Sequence, residues 1–259
     1  MSAPAFLDRK VYDLGQPYFP GMPHYPTHPP FLYSLTKKHG EILYGDGSTS
    51  AADAIALGTH VGTHIDALSH FSCNGICFGG SAVEQSYEGG MSRLGVDSIA
   101  PIARRGLLLD LAGLEGVDAL PAEFEITADH LSRAARNEIQ SGDIVLLRTG
   151  WARYFMDAKR YINNLVAPGP GIEAARWLSS RKVFAAGSDT VAFEKVPNPS
   201  MPVHVHLLVE SGIHIIEVLN LEELARERVY EFEFVAAPMN IRGATGAPVR
   251  PLAFATASS

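Results

Sequence analysis

An α/β fold is predicted for this 259-residue sequence on three observations. Short apolar runs of strand length alternate with helical patterns through the C-terminal half. The N-terminal half is the more β-like. No stretch rich in proline, glycine or serine is long enough to separate two blocks, so a single domain over residues 1–259 is expected.

The elements follow in order. Residues 16–31, QPYFPGMPHYPTHPPF, form an irregular loop, because proline fixes φ and removes the amide donor that a helix or central strand needs. Its aromatics Tyr18, Phe19, Tyr25 and Phe31 suit either the wall of a pocket or a clamp on the core. Residues 106–112, GLLLDLA, read as a buried strand. Thr127–Gln140 reads as a helix capped by Thr127 and ended by Gly142. Asp143–Thr149, DIVLLRT, has the unbroken apolar character of a doubly covered strand. Residues 171–181 read as a helix with Ala174, Ala175 and Leu178 on one face, and Lys182–Ala186 as a strand. Val203–Glu210 reads as helical, Ile213–Glu217 as a strand, Leu221–Arg228 as a short helix and Val229–Val235 as an alternating strand. The tail, GATGAPVRPLAFA, is a turn and a last strand.

Composition excludes several functions. Lys plus Arg number 21 and Asp plus Glu 28, so the net charge is −7, which argues against a broad basic face for nucleic acid or anionic lipid. No apolar run approaches the ~18 residues of a membrane helix. The N-terminus lacks the basic start and apolar stretch of a secretory leader. Cys73 and Cys77 provide no disulfide framework and read as small buried apolar residues. Both features point to a cytoplasmic protein. A nucleophile elbow, a phosphate loop and a dinucleotide fingerprint are all missing.

One stretch carries chemistry: His60-Val61-Gly62-Thr63-His64-Ile65-Asp66-Ala67-Leu68-Ser69-His70. Imidazole and carboxylate are the usual ligands of Zn²⁺, Mn²⁺ and Fe²⁺. The four groups sit at even positions, so an extended backbone puts them on one face. A helical backbone still brings His60 and His64 together, and Gly62 gives room between them. Three protein ligands leave open positions, as catalytic sites do. His70 is the natural proton shuttle, with a fourth ligand or a supporting hydrogen-bond partner as the readings left open. A second group, His204, His206, His214 and Glu217, reads as structural or solvated by itself. His28, His39 and His130 have no partner by spacing and count as surface.

His60 to Phe71, H-x-G-T-H-x-D-x-x-x-H-F, resembles the signature of the cyclase family of metal-dependent hydrolases, of the kynurenine formamidase and isatin hydrolase type. DLGQPYFPGMPHYPTHPPF, GDIVLLRTGW, the segment Gly187-Ser188-Asp189-Thr190, LLVESGIHIIEVLNLEEL and GATGAPVRPLAFA are similar to its further landmarks, so the resemblance covers nearly the whole chain. It implies a mixed β-sheet core with helices outside, a swivelling β/β/α domain, and homo-oligomers, either dimers or tetramers. It implies His60, His64 and Asp66 as metal ligands and His70 as general acid/base. His204 and Glu217 match the histidine and glutamate that help formamidases hold a second metal. His206 is the rival of His204, because the spacing to Glu217 is one residue longer than in the short formamidases. Tyr25 stands where formamidases place a substrate-packing tryptophan. Leu68 in place of proline, Val218 in place of asparagine, and the chain length resemble the longer, isatin hydrolase-like branch, where a single Mn²⁺ is typical.

The reading that results is a metal-dependent hydrolase cleaving the C–N bond of a small cyclic amide, isatin- or imide-like. One divalent ion, Mn²⁺ or Zn²⁺, with a second an open alternative, would activate water and polarise the carbonyl. His70 would take the proton and return it to the departing nitrogen, and Tyr25 would pack the ring. The alternatives are a two-zinc kynurenine formamidase, a lactone hydrolase, and a non-enzymatic metal- or ligand-binding protein.

Overall fold

Nine short segments pair into one sheet: β1 (Val11–Asp13), β2 (His64–Asp66), β3 (Ile102–Asp110), β4 (Ile144–Arg148), β5 (Ala185–Ser188), β6 (His214–Glu217), β7 (Glu231–Ala236), β8 (Gly246–Pro248) and β9 (Leu252–Ala255). The computed structural model describes residues 9–255. The expected lack of a leader over residues 1–8 and the two ends of the expected 1–259 domain lie outside the described residues. The strand order is β1-β9-β7-β3-β4-β5-β6-β2-β8. The middle run β3-β4-β5-β6 is parallel and both flanks are antiparallel, so the sheet is mixed as expected.

The sheet must curl. β9 is second and β8 ninth in that order, yet only residues 249–251 join them. A flat sheet with strands about 4.8 Å apart would separate them by roughly 34 Å, whereas four peptide steps reach at most about 14 Å. The ends are drawn together, with Leu14 N donating to Pro251 O at 2.9 Å and Val249 N to Thr63 O at 3.0 Å.

Alternation along each strand sends side chains to two faces. Ile65, Leu108, Ile144, Leu146, Ile216, Phe232 and Phe234 pack on one. Leu107, Leu109, Val145, Leu147 and Ile215 pack on the other, against helices Ala128–Ala134 and Ile172–Ser180 and the helical segment after Met201. β4, buried at every position, serves both, as its unbroken apolar run predicts. The helix 172–180 buries Ala174, Ala175 and Leu178 as expected.

Several boundaries differ from expectation. The helix begun by the Thr127 cap ends at Ala134, not Gln140. Gln140 N donates to Asp143 Oδ2 at 2.7 Å and Arg105 donates to Glu138 O at 2.8 Å, so tertiary bonds outcompete the last helical turn. The strand placed at 182–186 runs Ala185–Ser188, because Lys182 takes a left-handed turn with φ 55°. The strand at 106–112 begins at Ile102 and stops at Asp110, whose carboxylate accepts from Gly113 N at 3.0 Å and starts a short helix, Leu111–Leu114. The tail forms two strands, β8 and β9. Val203–Glu210 is helical as expected: one α-turn, Pro202–His204, widens into a π-helical stretch, Val205–Ser211.

The proline-rich loop fulfils both of its readings. Met22 and Phe31 join a third apolar cluster with Val61, Trp151 and Tyr161, and Tyr25 packs partly against it. The chain then leaves as an antiparallel hairpin, Leu32–Lys37 with Ala52–Ala56, whose strands are exposed throughout apart from Lys37. Cys77 is buried but Cys73 is exposed, against expectation. Among the described residues no helix is long and apolar enough to cross a membrane.

Candidate metal centre

The histidine motif is neither one strand nor a helix. Only His64–Asp66 is extended. Before it the chain bends at Gly62, with φ 67°, where any Cβ would strike the Tyr18 ring. The Tyr18 hydroxyl holds the bend at 3.0 Å from both Val61 O and Thr63 O. Thr63 Oγ1 accepts from Gln16 N at 2.8 Å and donates to Val218 O at 2.7 Å, tying the motif to the strand beside it. After β2, His70 N donates to Ala67 O at 2.9 Å and the turn brings His70 back. Strand alternation puts Ile65 in the core and His64 and Asp66 together on the other face. In the pairing of β2 with β6, His64 stands opposite Glu217. The local motif and a residue about 150 positions later therefore meet as a cross-strand pair.

The resulting donor set fits a cation. His64 Nδ1 donates to Gly62 O at 2.8 Å, which leaves the lone pair on Nε2. That atom lies 3.5 Å from Asp66 Oδ1 and 3.3 Å from Glu217 Oε2, yet no hydrogen bond satisfies it, and Asp66 Oδ2 is equally orphaned. All three residues are buried. Two orphaned buried atoms beside two carboxylates call for positive charge between them, and one imidazole with two carboxylates suits a divalent transition ion. His64, Asp66 and Glu217 offer ligand atoms within 4.8 Å of one another, as do His60, Asp66 and His70. The predicted triplet His60–His64–Asp66 is thus split between two groups sharing Asp66. His60 Nδ1 donates to Asp66 Oδ1 at 2.7 Å and Nε2 meets Thr245 Oγ1 at 2.9 Å.

Charge follows from these contacts. Burial opposes ionisation of Asp66, but the surrounding imidazoles of His70, His60 and His64 hold its carboxyl far below the usual range. Burial likewise opposes charge on Glu217, and His204 and His64 overcome it, bringing it to about 2. Burial depresses His70 to about 3, so its ring is neutral near pH 7. His70 stacks on His60 with centroids 3.9 Å apart.

A cavity of about 210 Å³ opens over this group, lined by Tyr25, His28, His70, Phe71, His204 and Glu217 among others. Between the rivals, His204 is the one at the cavity, with Nε2 donating to Glu217 Oε1 at 3.2 Å. His206 instead contacts Ser179 Oγ at 2.8 Å and the exposed Glu210 at 2.7 Å. His214 Nδ1 donates to Asp66 O at 2.9 Å, a bond between strands. Sequence reasoning missed two residues. Fully buried Glu194 accepts from His204 Nδ1 at 2.9 Å; burial opposes charge on His204, but Glu194 and Glu217 hold it up at about 10. No pattern in AFEKVP marks Glu194 as buried. His28, counted as surface, is half-buried against His60, with centroids 5.4 Å apart. Its place in the aromatic-proline loop was the available signal.

This fold and this buried nitrogen-and-carboxylate set suit a metal-dependent hydrolase. The chain belongs to the Cyclase family: residues 12–195 match the family described as putative cyclase. It is similar to the isatin hydrolase of Roseibium aggregatum, 28% identical over 220 residues, 80% of this chain and 76% of that protein. It is also similar to the kynurenine formamidase of Bacillus thuringiensis, 27% identical over 241 residues, 92% of this chain and 94% of that one. A crystal structure of a novel cyclase matches with TM-score 0.88 and 28% identity, covering 96% of this chain and 87% of its own.

Proposed function

We propose that the protein hydrolyses the C–N bond of a small cyclic amide, isatin- or imide-like, within one domain spanning residues 1–259. The observation that carries this is the orphaned pair, His64 Nε2 and Asp66 Oδ2, beside a cavity that His70 lines. His64 and Asp66 of the motif, joined by Glu217, would hold one Mn²⁺ or Zn²⁺, and His60 would complete the predicted set on giving up its bond to Asp66. Bound there, such an ion supplies Lewis acidity to a carbonyl and eases deprotonation of water. His70 accepts the attacking water's proton at a ring nitrogen and returns it to the departing amide nitrogen, which cannot leave as an anion near neutral pH. Tyr25 offers a flat face to a planar ring. The cavity volume suits a ligand smaller than a typical drug. Similarity to a protein named isatin hydrolase supports the substrate class.

The test is His70→Ala. Metal content should remain while kcat on cyclic amides falls roughly 10²–10⁴-fold, the usual worth of a general acid/base. Unchanged turnover would remove His70 from the mechanism, and metal loss in a folded variant would make it a ligand. A second reading is a two-zinc kynurenine formamidase with His204 and Glu217 at the second ion, supported by the 3.2 Å approach of His204 Nε2 to Glu217 Oε1. Two metal equivalents per chain at saturation, rather than one, would favour it. A homo-oligomer in the cytoplasm completes the proposal; the hairpin, with Leu32 58% and Ile55 54% exposed, supports a partner copy, since a lone two-stranded hairpin is marginal in water.

A further inference from the structure

We propose that His28 is a specificity-determining residue, accepting the N–H of a secondary amide substrate at Nε2 and so favouring an unsubstituted lactam or imide over an isostere without that hydrogen. The proposal rests on the amide-hydrolase reading above and sharpens its substrate class.

The position of the ring is built into the loop. His28 closes a tight turn in which its N–H donates to Tyr25 O at 2.9 Å. Pro26 lies inside that turn and Pro29 and Pro30 follow it, so φ is fixed on both sides and little freedom is left to lose on binding. The ring is half-buried between those of Tyr25 and His60, with centroids 5.6 and 5.4 Å away, and it lines the cavity.

The hydrogen-bond pattern then sets its chemistry. His28 Nδ1 lies 3.3 Å from the carbonyl oxygen of His60. A carbonyl only accepts, so Nδ1 carries the hydrogen and Nε2 of the neutral ring keeps the lone pair. No described residue hydrogen-bonds Nε2. Of the nearby carboxylate oxygens, Asp66 Oδ1 is held by His60 Nδ1 and Glu217 Oε1 by Phe193 N at 2.6 Å and by His204, while the orphaned Asp66 Oδ2 is buried out of reach of the cavity solvent. A substrate amide hydrogen entering the cavity therefore meets an uncommitted, pre-oriented acceptor in His28. A ring oxygen or methylene at the same place would leave that acceptor unpaired, which is how a site built to bond a hydrogen rejects an analogue lacking it.

The experiment compares two ligands of the same shape that are not readily hydrolysed, isoindolinone with its N–H and 1-indanone with a methylene there. Their dissociation constants are measured by calorimetry on the full-length, metal-loaded protein, its His28→Phe variant and its His28→Gln variant. His28→Phe should weaken isoindolinone roughly three- to tenfold more than 1-indanone, the worth of one hydrogen bond. His28→Gln, which retains an acceptor oxygen, should recover part of that difference and guards against a folding defect in the phenylalanine variant. Equal weakening of both ligands, or no measurable isoindolinone binding to the wild-type protein, would overturn the assignment. Turnover of a cyclic amide is followed separately. Selective binding without hydrolysis would sink the hydrolase reading and leave His28 standing. Hydrolysis without selectivity would do the reverse.

Discussion

Asp189 is fully buried two residues before Val191 of the cavity lining, and replacing it with asparagine isolates the cost of one buried charge. Its Oδ1 accepts from Thr149 N at 2.9 Å and Thr149 Oγ1 at 2.6 Å, while Oδ2 has no partner. Burial raises the carboxyl to about 6, the two bonds from Thr149 opposing that rise. An unfolded aspartate titrates near 3.9, so the native state binds the proton more tightly. Stability from this group is therefore complete below about pH 4 and lost as the pH climbs to about 6. Roughly two pK units at 1.36 kcal/mol each give a loss of about 3 kcal/mol above that window. Asparagine keeps an oxygen for Thr149 and cannot ionise. Its amide group adds a pH-independent cost of about 1–3 kcal/mol for an unsatisfied donor. Urea unfolding of both proteins at intervals from pH 4 to pH 8 should show the stability of the variant relative to wild type rising by about 3 kcal/mol across the range. Other titrating groups cancel in that difference. Parallel stability curves would refute the reasoning and mean that water reaches Oδ2.

Two further outcomes are expected. Arg148, 9% exposed, bridges Asp110 at 2.8 Å and Glu222 at 2.8 and 3.0 Å. Arg148→Ala should cost about 1–3 kcal/mol in urea unfolding, because it strands two half-buried carboxylates, and a loss below about 0.5 kcal/mol would show that they rehydrate. His204→Ala should lower metal affinity or kcat/KM roughly 10–100-fold as a partner of Glu217. His206→Ala should change neither measurably, and matching effects of the two would contradict the placement of His204 at the site.

What was legible in the sequence was what local pattern encodes. The run IVLLR showed its double burial, Thr127 its cap, and Ala174, Ala175 and Leu178 their shared face. The donors His60, His64, Asp66 and His70 stood out because their chemistry lies within eleven residues. Glu217 was nameable only through resemblance, since its pairing with His64 depends on strand register. Glu194 had no signal, because a glutamate followed by lysine reads as solvated until the fold buries it. The helix after Thr127 was overextended because propensity does not register the pull of Asp143 on Gln140. The motif's own backbone escaped prediction for a related reason: Gly62 bends to admit Tyr18, a residue from a different loop.

The alignment of His64 with Glu217 makes a clasp between chain segments that no short peptide could form alone. Occupancy of that clasp enters the folding equilibrium directly, because the unfolded chain lacks the assembled grip. An ion at a hundredfold excess over its dissociation constant adds about 2.7 kcal/mol to the native state. Scarcity of the ion would thus loosen the architecture as well as silence the chemistry, tying the lifetime of the protein to the supply of its metal.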